Sequence, residues 1–275
     1  MNQESEKMNN NPFIQEARWQ HLKSGIMKLA KTEVLARFEK VSVETKQDGS
    51  LLTEADTQMQ LKTQAFLEKN WPEFAFLGEE SSTETQENAM NSKQGCWILD
   101  PVDGTSNFAI GIPVYTVSLA LMVQGEIVAG LVYDPSRDEL FAARQGMGAE
   151  LNHQPLIAKT AKTALSQCSS IVDFKRLQPK LAILLATQPP YASQRSFGSV
   201  ALDWCWIASG RGQVYLHGSQ NIWDYAAGWL ILEEAGGQSQ TLDQKTVLLA
   251  KIEKRSAIAA TTPELFKEWS TFLQR

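Results

Sequence analysis

Apolar side chains recur at helical spacing through residues 14–38, at Leu22, Ile26, Leu29, Ala30, Val34 and Phe38, which predicts an amphipathic helix. A turn at Gln47-Asp48-Gly49-Ser50 interrupts the pattern, and Thr53-Glu54-Ala55-Asp56 opens a second helix that runs to Asn70. Thr53 suits the N-cap, the acids suit the positive end of the helix dipole, and Trp71-Pro72 breaks the helix. The short run 74–77 then reads as a strand ending at Gly78-Glu79-Glu80-Ser81. The polar stretch 82–94 reads as a mobile loop.

Apolar runs at 97–100, 114–123, 127–133 and 139–143 are separated by turn residues, Gln124-Gly125 and Asp134-Pro135 among them, and predict an antiparallel meander. The last third alternates instead. Strands are expected at 168–174, 213–216, 247–250 and 256–260, and helices at 176–187, 199–209, 224–235 and 263–274. Gly236-Gly237 stops one helix and Thr262-Pro263 starts another. The change of rhythm divides the chain into a disordered tail over 1–12, an N-terminal α+β part over 13–160 and a C-terminal α/β part over 161–275.

Composition narrows what such a chain does. With 275 residues, 43% hydrophobic and 21% charged, it has ample core for one large domain or two closely packed ones. A net charge of −5 speaks against nucleic-acid backbones or anionic membranes as partners. Cys96, Cys168 and Cys205 are odd in number and show no CxxC spacing, as in a reduced protein with small buried thiols. The polar N-terminus lacks the apolar core of a signal peptide, and no run of about 18 apolar residues suggests a membrane span. A cytoplasmic location is expected by elimination.

The chemistry concentrates in carboxylates. WILDPVDGTSNF (97–108) ends an apolar strand on Asp100 and puts Asp103 three residues later in a Pro/Gly turn. An aspartate before proline can simply accept turn N–H groups, but Asp103-Gly104-Thr105 also offers backbone donors to an anion. Glu79 ends another short strand, while Asp56 and Asp224 stand in first helical turns, where capping alone can explain an acid. Should these five converge, each close pair costs roughly 4 kcal/mol at 4 Å and an effective dielectric near 20. Proton sharing relieves one pair, whereas hard divalent cations relieve them all, and Mg²⁺ favours a few carboxylates with water and substrate phosphate. His21, His153 and His217 are scattered, so no zinc-type cluster competes.

Together these segments resemble the inositol monophosphatase family of Mg²⁺-dependent, lithium-sensitive phosphatases. The resemblance is carried by TKQDGSLLTEAD (45–56), FLGEES (76–81), WILDPVDGTSNF and WDYAAGWLILEEAGG (223–237), in that order, and spans roughly 14–270. It implies a layered αβαβα sandwich of the inositol monophosphatase/fructose-1,6-bisphosphatase type, mixed α/β (α+β), and a homodimer. It further implies a phosphomonoesterase that uses two or three Mg²⁺ ions and a metal-activated water on a small phosphorylated substrate. Glu79, Asp100 and the Val102 carbonyl would hold the first ion; Asp100, Asp103 and Asp224 the second; Asp56 with Glu79 a third. Gly104 and Thr105 would bind phosphate, Thr105 and Glu79 would orient and deprotonate the water, and Lys46 matches a lysine near the site.

The substrate side departs from the family. Inositol-specific members carry an acid several positions before the WD motif. Here, in VYLHGSQNIWD, Leu216 is expected at that place, with one extra residue before Trp223. His217, Ser219 and Gln220 either contact substrate or form a polar turn. RSFGSVALD (195–203) would put Ser199 and Val200 along the substrate. The upstream block looks closer to the bisphosphate nucleotidase and histidinol-phosphatase branches. The alternatives are therefore 3′(2′),5′-bisphosphate nucleotide, fructose 1,6-bisphosphate or histidinol phosphate hydrolysis, and, outside enzymes, a family member that regulates by binding a partner.

Overall fold

The computed structural model describes residues 11–40, 43–45, 51–162 and 164–274. Helix α1 (Glu16–Leu29) continues through a π-turn (Ala30–Val34) and a 3₁₀ turn (Leu35–Arg37). A small hairpin, β1 (Val43–Thr45) with β2 (Leu51–Thr53), leads into α2 (Glu54–Asn70), whose N-terminus closes with the Thr53/Asp56 capping box. Order begins earlier than the sequence suggested: Asn11, placed within the expected disordered tail, is buried and donates from Nδ2 to Val128 O at 2.8 Å.

A seven-stranded sheet follows. Its strands are β3 (Ala75–Gly78), β4 (Cys96–Asp103), β5 (Thr116–Val123), β6 (Glu126–Asp134), β7 (Glu139–Arg144), β8 (Ala149–Leu151) and β9 (Gln154–Leu156), side by side in that order. β3 joins β4 in parallel and the rest is the antiparallel meander. The second sheet takes β10 (Ser169–Asp173), β11 (Ser193–Arg195), β12 (Val214–Gln220), β13 (Gln238–Gln240) and β14 (Arg255–Ala260) in the order β11-β10-β12-β14-β13. Its helices are α5 (Pro179–Thr187), α6 (Val200–Ala208), α7 (Ile222–Glu234) and α8 (Pro263–Leu273); α3 (Thr83–Met90) and α4 (Thr105–Ala109) decorate the first sheet.

Alternation along the strands assigns the layers. On β4, Trp97 and Leu99 pack with Trp19, Leu22 and Met59 from α1 and α2, whereas Cys96 and Ile98 pack with Trp204, Ala227 and Ile231 from α6 and α7. On the second sheet, Ile171, Tyr215 and Ala257 join that same middle layer. Val172, Leu216 and Ile258 face Leu185 of α5 and Leu265 and Trp269 of α8. Helices, sheet, helices, sheet, helices make the αβαβα sandwich. β4 is buried along its whole length because both its faces are covered, which explains an unbroken apolar run where half-exposed strands alternate.

Several elements differ from the sequence expectation. The stretch 82–94 contains α3, started by the Ser82 side chain accepting from Thr85 N, with little apolar face to betray it. Gln86 of that helix donates to the carbonyls of Gly78 and Glu79 and fixes the end of β3. Residues 247–250 make no ladder: Val247 supplies apolar burial to the middle layer as a loop residue, and the edge of the sheet is taken by polar β13 instead. β8, β9 and β11 are three residues each and carry too few side chains to show a period.

Candidate active site

The ends of both sheets and the first turns of α4, α6 and α7 surround one cavity of about 800 Å³. Glu79, Asp100, Val102, Asp103, Gly104, Thr105, Val200 and Asp224 all line it. The sequence had these residues spread over nearly 150 positions.

A bulge brings the two aspartates of β4 to the same side. Asp100 pairs with Ser118 and Asp103 with Thr116, so three steps on β4 match two on β5. In a regular strand, residues three apart point to opposite faces. The extra residue rotates the chain, so that Val102 joins the outer cluster while Asp103 turns toward α6. Asp103 accepts from the Ser199 hydroxyl, from Val200 N at 3.0 Å and from Ala201 N at 2.9 Å. It therefore caps α6 across the layer, where the helix dipole favours a carboxylate.

The other acids are placed by similarly local devices. Glu79 N donates to Leu99 O at 3.0 Å, which extends the parallel β3–β4 ladder and puts Glu79 beside Asp100. Ser118, opposite Asp100, donates to Trp223 O at 3.1 Å and so ties the start of α7 to the sheet. Asp224 then closes its own capping box, Oδ2 accepting from Asn221 N at 2.7 Å. The turn after β4 needs Gly104: its φ is +94°, and a Cβ there would stand 2.8 Å from Val114 O.

Asp56 stands one step back. It is fully buried, its Oδ2 accepts from Thr53 N and Thr53 Oγ1 at 2.8 and 2.6 Å, and its Oδ1 lies 3.3 Å from Thr105 Oγ1. It reaches the cavity through Thr105, whose hydroxyl also sits 2.9 Å from Val102 O. Ser199 likewise acts from behind, through Asp103, while Val200 lines the cavity directly. Lys46 lies outside the described residues.

Leu216 is not on the substrate side. On β12 it faces the outer layer with Val172 and Ile258, and the next residue, His217, lines the cavity. The pairing of β12 with β14 is regular through Leu216 and His217, and its register shifts only afterwards, between His217 and Gln220. Of the three polar candidates, Gln220 is buried and holds Trp204 Nε1 at 3.1 Å, Ser219 N caps His217 Nδ1, and His217 alone lines the cavity.

The sequence reading missed Asp173, Arg176, Asp203 and Lys254, which also line the cavity. Asp173 had a usable signal, since SSIVD ends an apolar strand on a carboxylate just as WILD does. Nothing local marked Lys254.

Burial pushes Asp100 far above the usual carboxylate range, and Glu79, Asp103 and Asp224 add to it by repulsion. Asp224 is raised in the same way, first by burial and then by Glu79 and Asp103. Asp103 is also raised by burial, although Ser199 and the N–H groups of α6 pull against it. Among the described residues, no three His, Cys, Asp or Glu side chains are already gathered to hold a metal ion. Much of their bonding goes to N–H and hydroxyl groups. The donor set nevertheless fits a hard divalent cation: Glu79, Asp100, Asp103, Asp224 and the Val102 carbonyl are all oxygen, and their mutual repulsion is what such a cation removes.

Comparison with known proteins identifies the family and the fold. A family model described as the inositol monophosphatase family matches residues 16–272. The chain is 32% identical over 271 residues to an inositol-1-monophosphatase of Synechocystis, covering 92% of both chains. It is 36% identical over 175 residues to a Nus factor SuhB of Xylella fastidiosa, a match that spans 62% of this chain and 62% of that protein, less than two thirds of its length. Among solved structures, an IMPase/NADP phosphatase complexed with Mg²⁺ and phosphate superposes with a TM-score of 0.80 at 25% identity, over 94% of this chain and 95% of that one. No helix among the described residues is long and apolar enough to cross a membrane.

Proposed function

Because this chain belongs to the inositol monophosphatase family, we propose that it is a Mg²⁺-dependent phosphomonoesterase acting on a small polyol, sugar-type or related phosphate. The observation that carries the reading is the convergence of Glu79, Asp100, Asp103 and Asp224 on one cavity beside the Gly104-Thr105 turn. Glu79, Asp100 and the Val102 carbonyl would hold one ion, Asp100, Asp103 and Asp224 a second, and Asp56 with Glu79 a third. Bound there, the ions supply neutralisation of phosphoryl charge and acidify the attacking water.

The protein's own groups do the rest. Thr105 Oγ1, held between Val102 O and Asp56 Oδ1, has one hydrogen and two acceptors, so its lone pairs have a defined direction for orienting a water. Glu79, which lines the cavity beside Asp100, would be the acid that takes the proton. The N–H groups of Gly104 and Thr105 sit in a left-handed turn that can face phosphate oxygens.

The test is phosphate release from inositol, sugar, histidinol and bisphosphorylated nucleotide compounds, with and without Mg²⁺. Release that requires the ion supports the reading, and the preferred compound decides between the polyol branch and the bisphosphate or histidinol-phosphate branches. A second reading is favoured by one observation, the relatives called Nus factor SuhB: this chain would then serve chiefly as a partner-binding protein. No release from any compound, together with a stoichiometric co-purifying partner, would favour that reading.

A further inference from the structure

We infer that the side of the cavity built by the five-stranded sheet recognises a second anionic group on the leaving-group half of the substrate, through Arg176 and Lys254. The inference rests on the phosphatase reading, and concerns what the phosphate is attached to. β10 and β12 run parallel with Asp173 opposite His217, and alternation turns both side chains inward, as it does Ile171 and Tyr215 before them. Asp173 is already spent: Oδ1 accepts from Lys175 N at 2.9 Å, while Oδ2 lies 2.5 Å from Arg176 Nη1 and 3.0 Å from His217 Nε2.

That arrangement leaves cations facing the open space. Arg176 gives Asp173 one of the five N–H groups on a guanidinium, is half-exposed, and lines the cavity. Its backbone is held in place by close contact, because a Cβ on Gly218 would stand 1.9 Å from Arg176 O. The planar fork suits a carboxylate or phosphate better than a hydroxyl. Lys254, just before β14, also lines the cavity and makes no ion pair among the described residues.

Other leaving groups fit less well. An ammonium would need a free carboxylate, but Asp173 is occupied by Arg176 and His217. Asp203 also lines the cavity, and its Oδ1 has no hydrogen-bond partner among the described residues, but the side chain is only 4% exposed and that oxygen is shut away from solvent. His217 offers little to a neutral polyol: Nδ1 accepts from Ser219 N, and Nε2, which makes no well-aligned hydrogen bond, is turned toward Asp173 at 3.0 Å and shut off from solvent. With the acids of the seven-stranded sheet given to cations and Asp173 and Asp203 largely covered, the exposed charges on this wall, Arg176 and Lys254, are positive. A cavity of about 800 Å³ leaves room for more than the phosphate itself.

The experiment compares kcat/KM of the Mg²⁺-loaded protein for three matched probes: 2-phosphoglycerate, glycerol 2-phosphate and phosphoethanolamine. These carry an anionic, a neutral and a cationic substituent. The expected result is a preference for 2-phosphoglycerate over glycerol 2-phosphate of about tenfold, equivalent to about 1.4 kcal/mol. The ratio should fall toward one in the Arg176→Ala, Lys254→Ala double variant. Lys254→Ala alone, at an exposed side chain, should lower the ratio part of the way and keeps the question answerable if the double variant fails to fold. Equal rates, preference for the neutral or cationic probe, or a ratio that survives the double change would overturn the inference while leaving the phosphatase reading intact. Absence of Mg²⁺-dependent release from all three, and from the wider panel, would overturn both.

Discussion

Two strands of this protein end alike and finish in opposite electrostatic company. WILD of β4 and SIVD of β10 are both apolar runs closed by an aspartate at the rim of the same cavity. Asp100 meets Glu79, Asp103 and Asp224, and its carboxyl is driven up by burial and repulsion. Asp173 is also desolvated, but the hydrogen bond and charge of His217 and the Arg176 guanidinium outweigh that and hold it well below the usual range. One site crowds carboxyl groups whose repulsion the proposed cations would relieve. The other is neutralised within the protein and serves as scaffold.

The contrast can be broken most severely at Asp100. Asp100→Asn keeps the shape and removes the charge, so turnover should fall on the order of 1,000-fold or more, read as Mg²⁺-dependent phosphate release. In metal-free protein the same change should leave the melting temperature unchanged or raise it, because it relieves repulsion. A variant with near-normal turnover would sink the assignment of Asp100 as the shared ligand.

Asp173→Asn should act with the opposite sign on stability. It strips a charged acceptor from Arg176, His217 and Lys175 N–H, and should cost about 1–3 kcal/mol in urea unfolding. The pH dependence carries the same signature. A carboxyl lowered in the folded state contributes stability that is complete above its unfolded value of about 3.9 and is lost as pH falls through the lower, folded value. The gap between wild type and Asp173→Asn should thus be constant above about pH 5 and close as the pH is lowered below about 4. A gap that widens in acid would contradict the pairing.

The smallest effect concerns the thiols at the other ends of these strands. Cys96 opens β4 and Cys168 precedes β10; burial pushes the Cys96 thiol up to about 12 and raises Cys168 too. With Cys205 also buried, a thiol reagent should label none of the three in the native protein and all three after unfolding. Rapid native labelling of Cys96 would mean that β4 opens more readily than its covered position implies.

Much of this protein could be read from its residues because the deciding interactions are local. Helix α2 was announced by Thr53 and Asp56, α7 by Asp224, and the meander by its turns, since caps and turns are satisfied within a few residues. The acids were visible for the same reason: a carboxylate that ends an apolar strand or opens a helix is conspicuous in one dimension. What the residues could not reveal is which acids have partners. WILD and SIVD read alike, and only the packing of β12 beside β10 gives Asp173 its histidine and arginine.

The same limit explains the displacement of one substrate-side residue. The motif VYLHGSQNIWD points to Leu216, but which of Leu216 and His217 faces the cavity is decided by how β12 pairs with β10 and β14. Side-chain direction along a strand has a period of two, so one residue of slip exchanges core for cavity. By itself, then, the sequence determined the long helices and the meander, the acid-rich motifs and the family they resemble, but not the helix within 82–94 or the polar edge strand at Gln238–Gln240. The tertiary structure alone decided that β4 bulges, that Asp56 works through Thr105, and that His217 replaces Leu216 at the wall, because each depends on which strand or helix lies alongside.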